Sequence, residues 1–117
     1  MIFTKKEILW IFLGFKILTI RKRTNKGHMP IKKGSTAKIK AGRTKETYGI
    51  IKIVDVVEKP LNQLNKEDAV LGGYLEPSEY IDEQLNSFNV GVTTDTYMLF
   101  YKFEILELNW DLFESLL

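Results

Sequence analysis

The sequence predicts an α+β fold, and three observations carry the prediction. Four stretches have strand signatures, three or four shorter ones have helix signatures with recognisable caps, and the two kinds do not alternate as βαβ units would. The strands are expected to curl into a small β-barrel, with a helical insertion near residues 65–88 and short terminal helices covering its ends. At 117 residues the chain is read as one domain over 1–117, long enough for a single core.

Each element has its own signal. Thr4 is placed to cap a short helix over Lys5 to Leu13, with Glu7 three residues after the cap, and Gly14 ends it. A strand follows over about Ile17 to Arg23. The apolar run Ile8 to Ile20 is 13 residues, broken by Gly14 and Lys16, too short for the roughly 20 that a bilayer span needs. Arg21, Lys22 and Arg23 follow where a cleaved leader would have small residues, so two buried elements are expected rather than a signal segment.

Residues 24–35 (TNKGHMPIKKGS) read as a basic loop. Thr36 to Lys40 alternates, with Ala37 and Ile39 facing one way and Thr36, Lys38 and Lys40 the other, the pattern of a half-buried strand. A polar turn at Gly42 to Glu46 leads to a longer strand, Tyr48 to Val57, ended by Pro60. Asn65 and Asp68 form a capping-box pair before a short helix that stops at Gly72-Gly73. Pro77 suits the first turn of the next helix, with Tyr80, Ile81, Leu85 and Phe88 on one side and Glu79, Asp82 and Glu83 on the other. Thr96 to Leu106 is apolar, aromatic and free of Gly and Pro, which reads as a central strand. Asn109 caps a final amphipathic helix in residues 108–117, where Trp110, Phe113, Leu116 and Leu117 can pack on the barrel or on a partner.

Charge is divided along the chain. Residues 1–59 hold 15 Lys and Arg against 4 acids, a net of +11, while residues 60–117 hold 2 bases against 11 acids, a net of −9. A basic half suits a polyanionic partner. The chain has no cysteine and one histidine, His28, which excludes disulfides, thiolate metal sites and a two-histidine zinc site. No metal and no cofactor are expected, and a reducing, cytoplasmic setting fits the composition.

At Gly14 to Arg21, GFKILTIR, the chain resembles the ASCH (activating signal cointegrator homology) family of the PUA-like superfold. Lys-x-x-Thr-x-Arg stands on the first strand, IKKGS (Ile31 to Ser35) is similar to the family's next turn, DAVLGGY (Asp68 to Tyr74) to its helix end, and LFYKFEI (Leu99 to Ile105) to its last strand. Order and spacing agree over about residues 8–107. The resemblance implies a PUA-like β-barrel with a cleft beside the first strand, and binding of RNA or its nucleotides. One bacterial branch hydrolyses the amide of N(4)-acetylcytidine with the motif lysine, threonine and a glutamate. Carried over, these are Lys16 and Thr19, with Gly72 at the glutamate's place, so an acid would have to come from Glu67, Asp68 or Glu76.

Side-chain alternation puts Thr19 and Arg21 on one face, which Lys16 joins only if it lies in the turn before regular pairing begins. As an amine Lys16 starts with a pKa near 10.4, neutral in roughly one molecule in 2,500 at pH 7. Desolvation and Arg21 would have to lower it before amine chemistry is practical. Binding asks for less. Arg21, Lys22, Arg23, Lys26, Lys32 and Lys33 supply cations, the amides near Gly27 and Gly34 suit phosphate oxygens, and His28 can stack on a base or donate to a phosphate. Tyr48, Tyr97 and Tyr101 are expected as wall residues, because aromatics do not interleave with the basic loop.

The expectation is therefore a nucleic-acid-binding domain with RNA or a modified nucleotide in a basic cleft, formed by Lys16, Thr19, Arg21, Lys22, Arg23, Lys26, His28, Lys32 and Lys33. Two alternatives stand beside it: an amidohydrolase of acetylated cytidine using Lys16 and Thr19, and an interaction module assembling through its C-terminal helix. A monomer or weak homodimer without membrane attachment is expected.

Overall fold

The computed structural model describes residues 1–23, 31–42, 44–87 and 91–117. Its sheet has five strands in the order β1-β3-β4-β5-β2: β1 (Ile2–Phe3), β2 (Leu18–Lys22), β3 (Thr36–Ala41), β4 (Gly49–Pro60) and β5 (Tyr97–Leu108). All neighbours are antiparallel except β1, which lies parallel to β3 with Ile2 opposite Lys40 and Phe3 opposite Ala41. The sheet curls but does not close, because β1 and β2 are its two edges. The α+β class holds, and the barrel is a half-barrel with a seam. The two-residue strand β1 has no sequence period to announce it, and only pairing with β3 brings it into the sheet.

The helix α1 (Lys5–Phe12) begins where the sequence indicates. The Thr4 hydroxyl accepts from Glu7 N–H at 3.2 Å, and Glu7 Oε1 accepts from Thr4 N–H at 3.0 Å. Gly14, with φ +83°, turns the chain out of the helix in a conformation costly for other residues. Ile8 and Ile11 are fully buried against the sheet, each worth roughly 1.5–3 kcal/mol of apolar transfer.

The strand β4 runs three residues further than Val57 and ends on Pro60 itself, opposite Tyr97, with register shifts at Ile50/Ile51 and Ile53/Asp55 that sharpen its bend. Both faces of β5 are covered. Leu99, Tyr101 and Phe103 pack with α1, and Met98 and Phe100 pack on the opposite side. That double burial explains its unbroken apolar run.

The opposite side is roofed by the insertion, α2 (Lys66–Leu71) and α3 (Pro77–Asn86), over a cluster that includes Leu18, Ile20, Leu61, Leu64 and Tyr80. The Asn65–Asp68 capping box starts α2, and Pro77 occupies the first turn of α3. The expected fourth residue on that face, Phe88, lies outside the described residues. The last helix, α4 (Trp110–Glu114), packs back on the body: Phe113 stacks on Phe12 with centroids 4.4 Å apart, while Trp110 stays half exposed. Of the expected wall tyrosines, Tyr48 and Tyr101 are buried and Tyr97 is exposed. Among the described residues no helix is long and apolar enough to cross a membrane.

Candidate functional site

The seam between β1 and β2 opens into a cleft of about 690 Å³. One wall is Ile2 and Phe3 with the first turn of α1, the other is Thr19, Ile20 and Arg21, and α3 closes the bottom through Tyr80 and Gln84. A smaller hollow of about 380 Å³ lies beside α4, lined by the half-buried Thr47 and by Glu107, Asn109 and Asp111, which are exposed.

Lys16 precedes β2, in the turn that follows Gly14. The backbone of its neighbour is pinned on both sides: Ile17 N–H donates to Leu71 O at 2.8 Å, and Ile17 O accepts from Phe103 N–H at 2.9 Å. This drives the Lys16 side chain inward, where it is 1 % exposed. A snorkelling surface lysine is thus excluded. Its ammonium donates to Gly72 O at 3.1 Å and to the Tyr80 hydroxyl at 3.3 Å, and Glu7 Oε2 lies 3.8 Å away. Burial, above all, lowers its pKa from near 10.5 to about 8; Arg21 and Lys6 push the same way and Glu7 opposes them.

Thr19 is buried, and its Oγ1 accepts from Arg21 Nε at 3.2 Å. The Arg21 guanidinium crosses the seam to sit 4.8 Å from the centroid of the Phe3 ring. Its Nη2 is buried without a hydrogen-bond partner among the described residues. Burial lowers the Arg21 pKa, and the charge of Glu7 is the strongest influence in the other direction. Tyr80, stacked on Tyr74 at 4.3 Å, is held well above the ordinary phenol range by burial first and by Glu7 and Tyr74 after it.

The structure therefore draws Lys16, Thr19 and Arg21 to one place, with Thr19 and Arg21 on the cleft wall and Lys16 tucked behind it. The other described candidates lie elsewhere. Lys22 is on the alternate face of β2, opposite Met98, Arg23 pairs with Glu58, and Lys32 and Lys33 are exposed away from the cleft lining. Lys26, His28 and Gly27 lie outside the described residues. The interior is not simply basic, since Glu7 and Glu83 line it together with Lys5 and Arg21.

The acid facing Lys16 is Glu7, not Glu67, Asp68 or Glu76. Asp68 is committed to Lys59 at 2.6 Å and to its capping box, and Glu67 and Glu76 are exposed. At Gly72 an added Cβ would overlap the Tyr80 ring, so no longer side chain fits there. Sequence reading missed Glu7 and Tyr80 as site residues. Glu7 was legible as a cap but not as the neighbour of Lys16, because only the docking of α1 beside the turn after Gly14 brings the two together.

No family profile matches the sequence, and no curated protein matches it either. Solved structures do. The ASCH domain from Lactobacillus crispatus JV V101 superposes with a TM-score of 0.74 at 18% identity, covering 87% of this chain and 71% of that one. A protein from Enterococcus faecalis V583 assigned to DUF984 gives 0.68 at 18% identity over 89% and 72%. The ASCH protein from Zymomonas mobilis gives 0.60 at 16% identity over 95% and 72%. The chain has the ASCH-domain, PUA-like fold.

Proposed function

We propose that the seam cleft binds RNA or a single nucleotide. The observation that carries this reading is a charge imbalance: the buried Lys16 and the half-buried Arg21 share one nearby carboxylate among the described residues, Glu7, and Arg21 Nη2 has no partner among them. Glu83 does not redress the balance, because it pairs with Lys6 at 3.2 Å on the surface. A buried donor left unpaired costs about 1–3 kcal/mol, and a ligand that supplies an acceptor recovers it. The ASCH-domain fold and the basic N-terminal half support a nucleic-acid partner over other anions.

The test is binding of a short fluorescently labelled single-stranded RNA over a salt series. Affinity should fall with rising salt, and Arg21→Met should weaken it by at least tenfold with the melting temperature little changed. Undetectable binding, or equal affinities for the variant and wild type, refutes the proposal.

A second reading, hydrolysis of acetylated cytidine, draws on one observation, the lowered pKa of Lys16 beside Glu7. It needs the amine to leave Gly72 O and the Tyr80 hydroxyl and to reach the cleft. Release of cytidine from N(4)-acetylcytidine, abolished by Lys16→Met, would establish it over binding alone.

A further inference from the structure

Glu7 is a cleft-lining carboxylate anchored at one oxygen. Its Oε1 is held by the Thr4 N–H, and its Oε2 is drawn toward the Lys16 ammonium, which at 3.8 Å is too far for a full hydrogen bond. Lone pairs on Oε2 therefore remain unused, and the side chain is 24 % exposed at the cleft wall, enough to be reached. Across the cleft, Arg21 lines the wall with donors and no acceptors, and its buried Nη2 has no partner among the described residues. A fixed acceptor facing a fixed donor is the complement of a group that presents a donor beside an acceptor.

We propose that Glu7 selects the ligand, its carboxylate accepting a hydrogen bond from an amino group on a heterocyclic base while Arg21 donates to the ring nitrogen or carbonyl beside that amino group. The inference rests on the reading of the cleft as a nucleotide site and adds which part of the nucleotide enters it. A phosphate in the same position would meet the Glu7 charge and be repelled, whereas an amino-bearing base gains from it. Carboxylates accept from exocyclic base amines in the same manner in base-edge readout, and a matched pair of contacts separates right from wrong bases by about tenfold or more.

The substitution Glu7→Gln provides a clean reversal. Glutamine also serves the capping box at this position, so α1 keeps its start. Its Oε1 stays on the Thr4 N–H, which turns the Nε2 donor to the place of Oε2. Lys16 loses a charge that raises its pKa. The cleft then presents donors from both sides.

The experiment titrates the full-length chain with cytidine and adenosine, which bear amino groups, with uridine and inosine, which bear carbonyls in their place, and with inorganic phosphate. Wild type should bind the amino nucleosides at least tenfold more tightly than their carbonyl counterparts. Glu7→Gln should abolish or invert that preference in a chain that still melts cooperatively, and Glu7→Asp, which keeps the charge but shortens the reach, should abolish it as well. Equal binding of both pairs by wild type overturns the inference, as does a preference that survives Glu7→Gln, or inorganic phosphate binding to wild type more tightly than either amino nucleoside. Salt-sensitive RNA binding without any amino preference would refute this inference alone. No binding of RNA or nucleoside would refute the proposed function with it.

Discussion

The Lys16 ammonium donates to the carbonyl of Gly72 at 3.1 Å, so a backbone oxygen meets the lysine where the resemblance leads one to expect a carboxylate. The exchange follows from packing. Tyr80 from α3 fills the space a side chain at residue 72 would need, and its own hydroxyl becomes the second acceptor for Lys16.

Gly72→Ala should therefore destabilise the fold through overlap with Tyr80. The backbone at Gly72 has φ −85°, open to any residue, so the cost is steric. Overpacking of this kind costs about 1–3 kcal/mol. Chemical denaturation measures it, and the double variant Gly72→Ala with Tyr80→Leu should recover part of the loss. A Gly72→Ala variant as stable as wild type would contradict the packing described.

Stability should rise with pH from about 8 toward 10. The unfolded chain holds the Lys16 proton up to near 10.5 and the folded chain releases it near 8, so between these values the unfolded state binds more protons and loses ground as pH increases. The gain is on the order of 2–3 kcal/mol over that window. Near pH 10 it is checked by Tyr80, whose raised pKa makes the folded state keep a proton that the unfolded state gives up. Denaturant titrations at several pH values measure the slope, and Lys16→Met should flatten it. A rise that persists in Lys16→Met would assign it to another group.

Thr19→Val should keep the side-chain volume while removing the acceptor for Arg21 Nε. The guanidinium then loses the hydrogen bond at Nε while its buried Nη2 still has no partner among the described residues. The expected result is a stability loss of about 1 kcal/mol and severalfold weaker ligand binding, since the donor is no longer held in place. Calorimetry on the variant and on Arg21→Met, singly and together, should show strong non-additivity.

Asp68→Ala should be among the more damaging surface-proximal substitutions. Its carboxylate accepts from Asn65 N–H at 3.1 Å and from Lys59 Nζ at 2.6 Å, with both charged side chains less than a fifth exposed. Losing a cap costs about 1 kcal/mol, and stranding a half-buried ammonium adds to it. Thermal melts of Asp68→Ala, Lys59→Met and the double variant should show a smaller loss in the double variant than the two single losses combined.

Local chemistry made much of the fold legible. The Thr4–Glu7 and Asn65–Asp68 capping pairs, Gly14, Pro77 and the alternation in Thr36 to Lys40 each act within a few residues, and each marks its element within about three residues. The strand β1 could not be read, because two residues carry no period and its partners lie in β3, far along the chain. The site was half legible for the same reason. Thr19 and Arg21 share a face by alternation, whereas Glu7 and Tyr80 arrive from α1 and α3 through docking that no local spacing records. The basic loop drew attention through its density of charge, yet the described cations Lys22, Lys32 and Lys33 are not on the cleft wall.

The tethering of Ile17 N–H to Leu71 O has a kinetic corollary. Lys16 can be sealed from solvent only once the segment bearing α2 and α3 has seated on the sheet. In partially assembled chains its amine stands in water with the titration of a free lysine. Acylating reagents applied during refolding would mark Lys16 before that seating and spare it afterwards, so the order of assembly is written into one residue's chemistry.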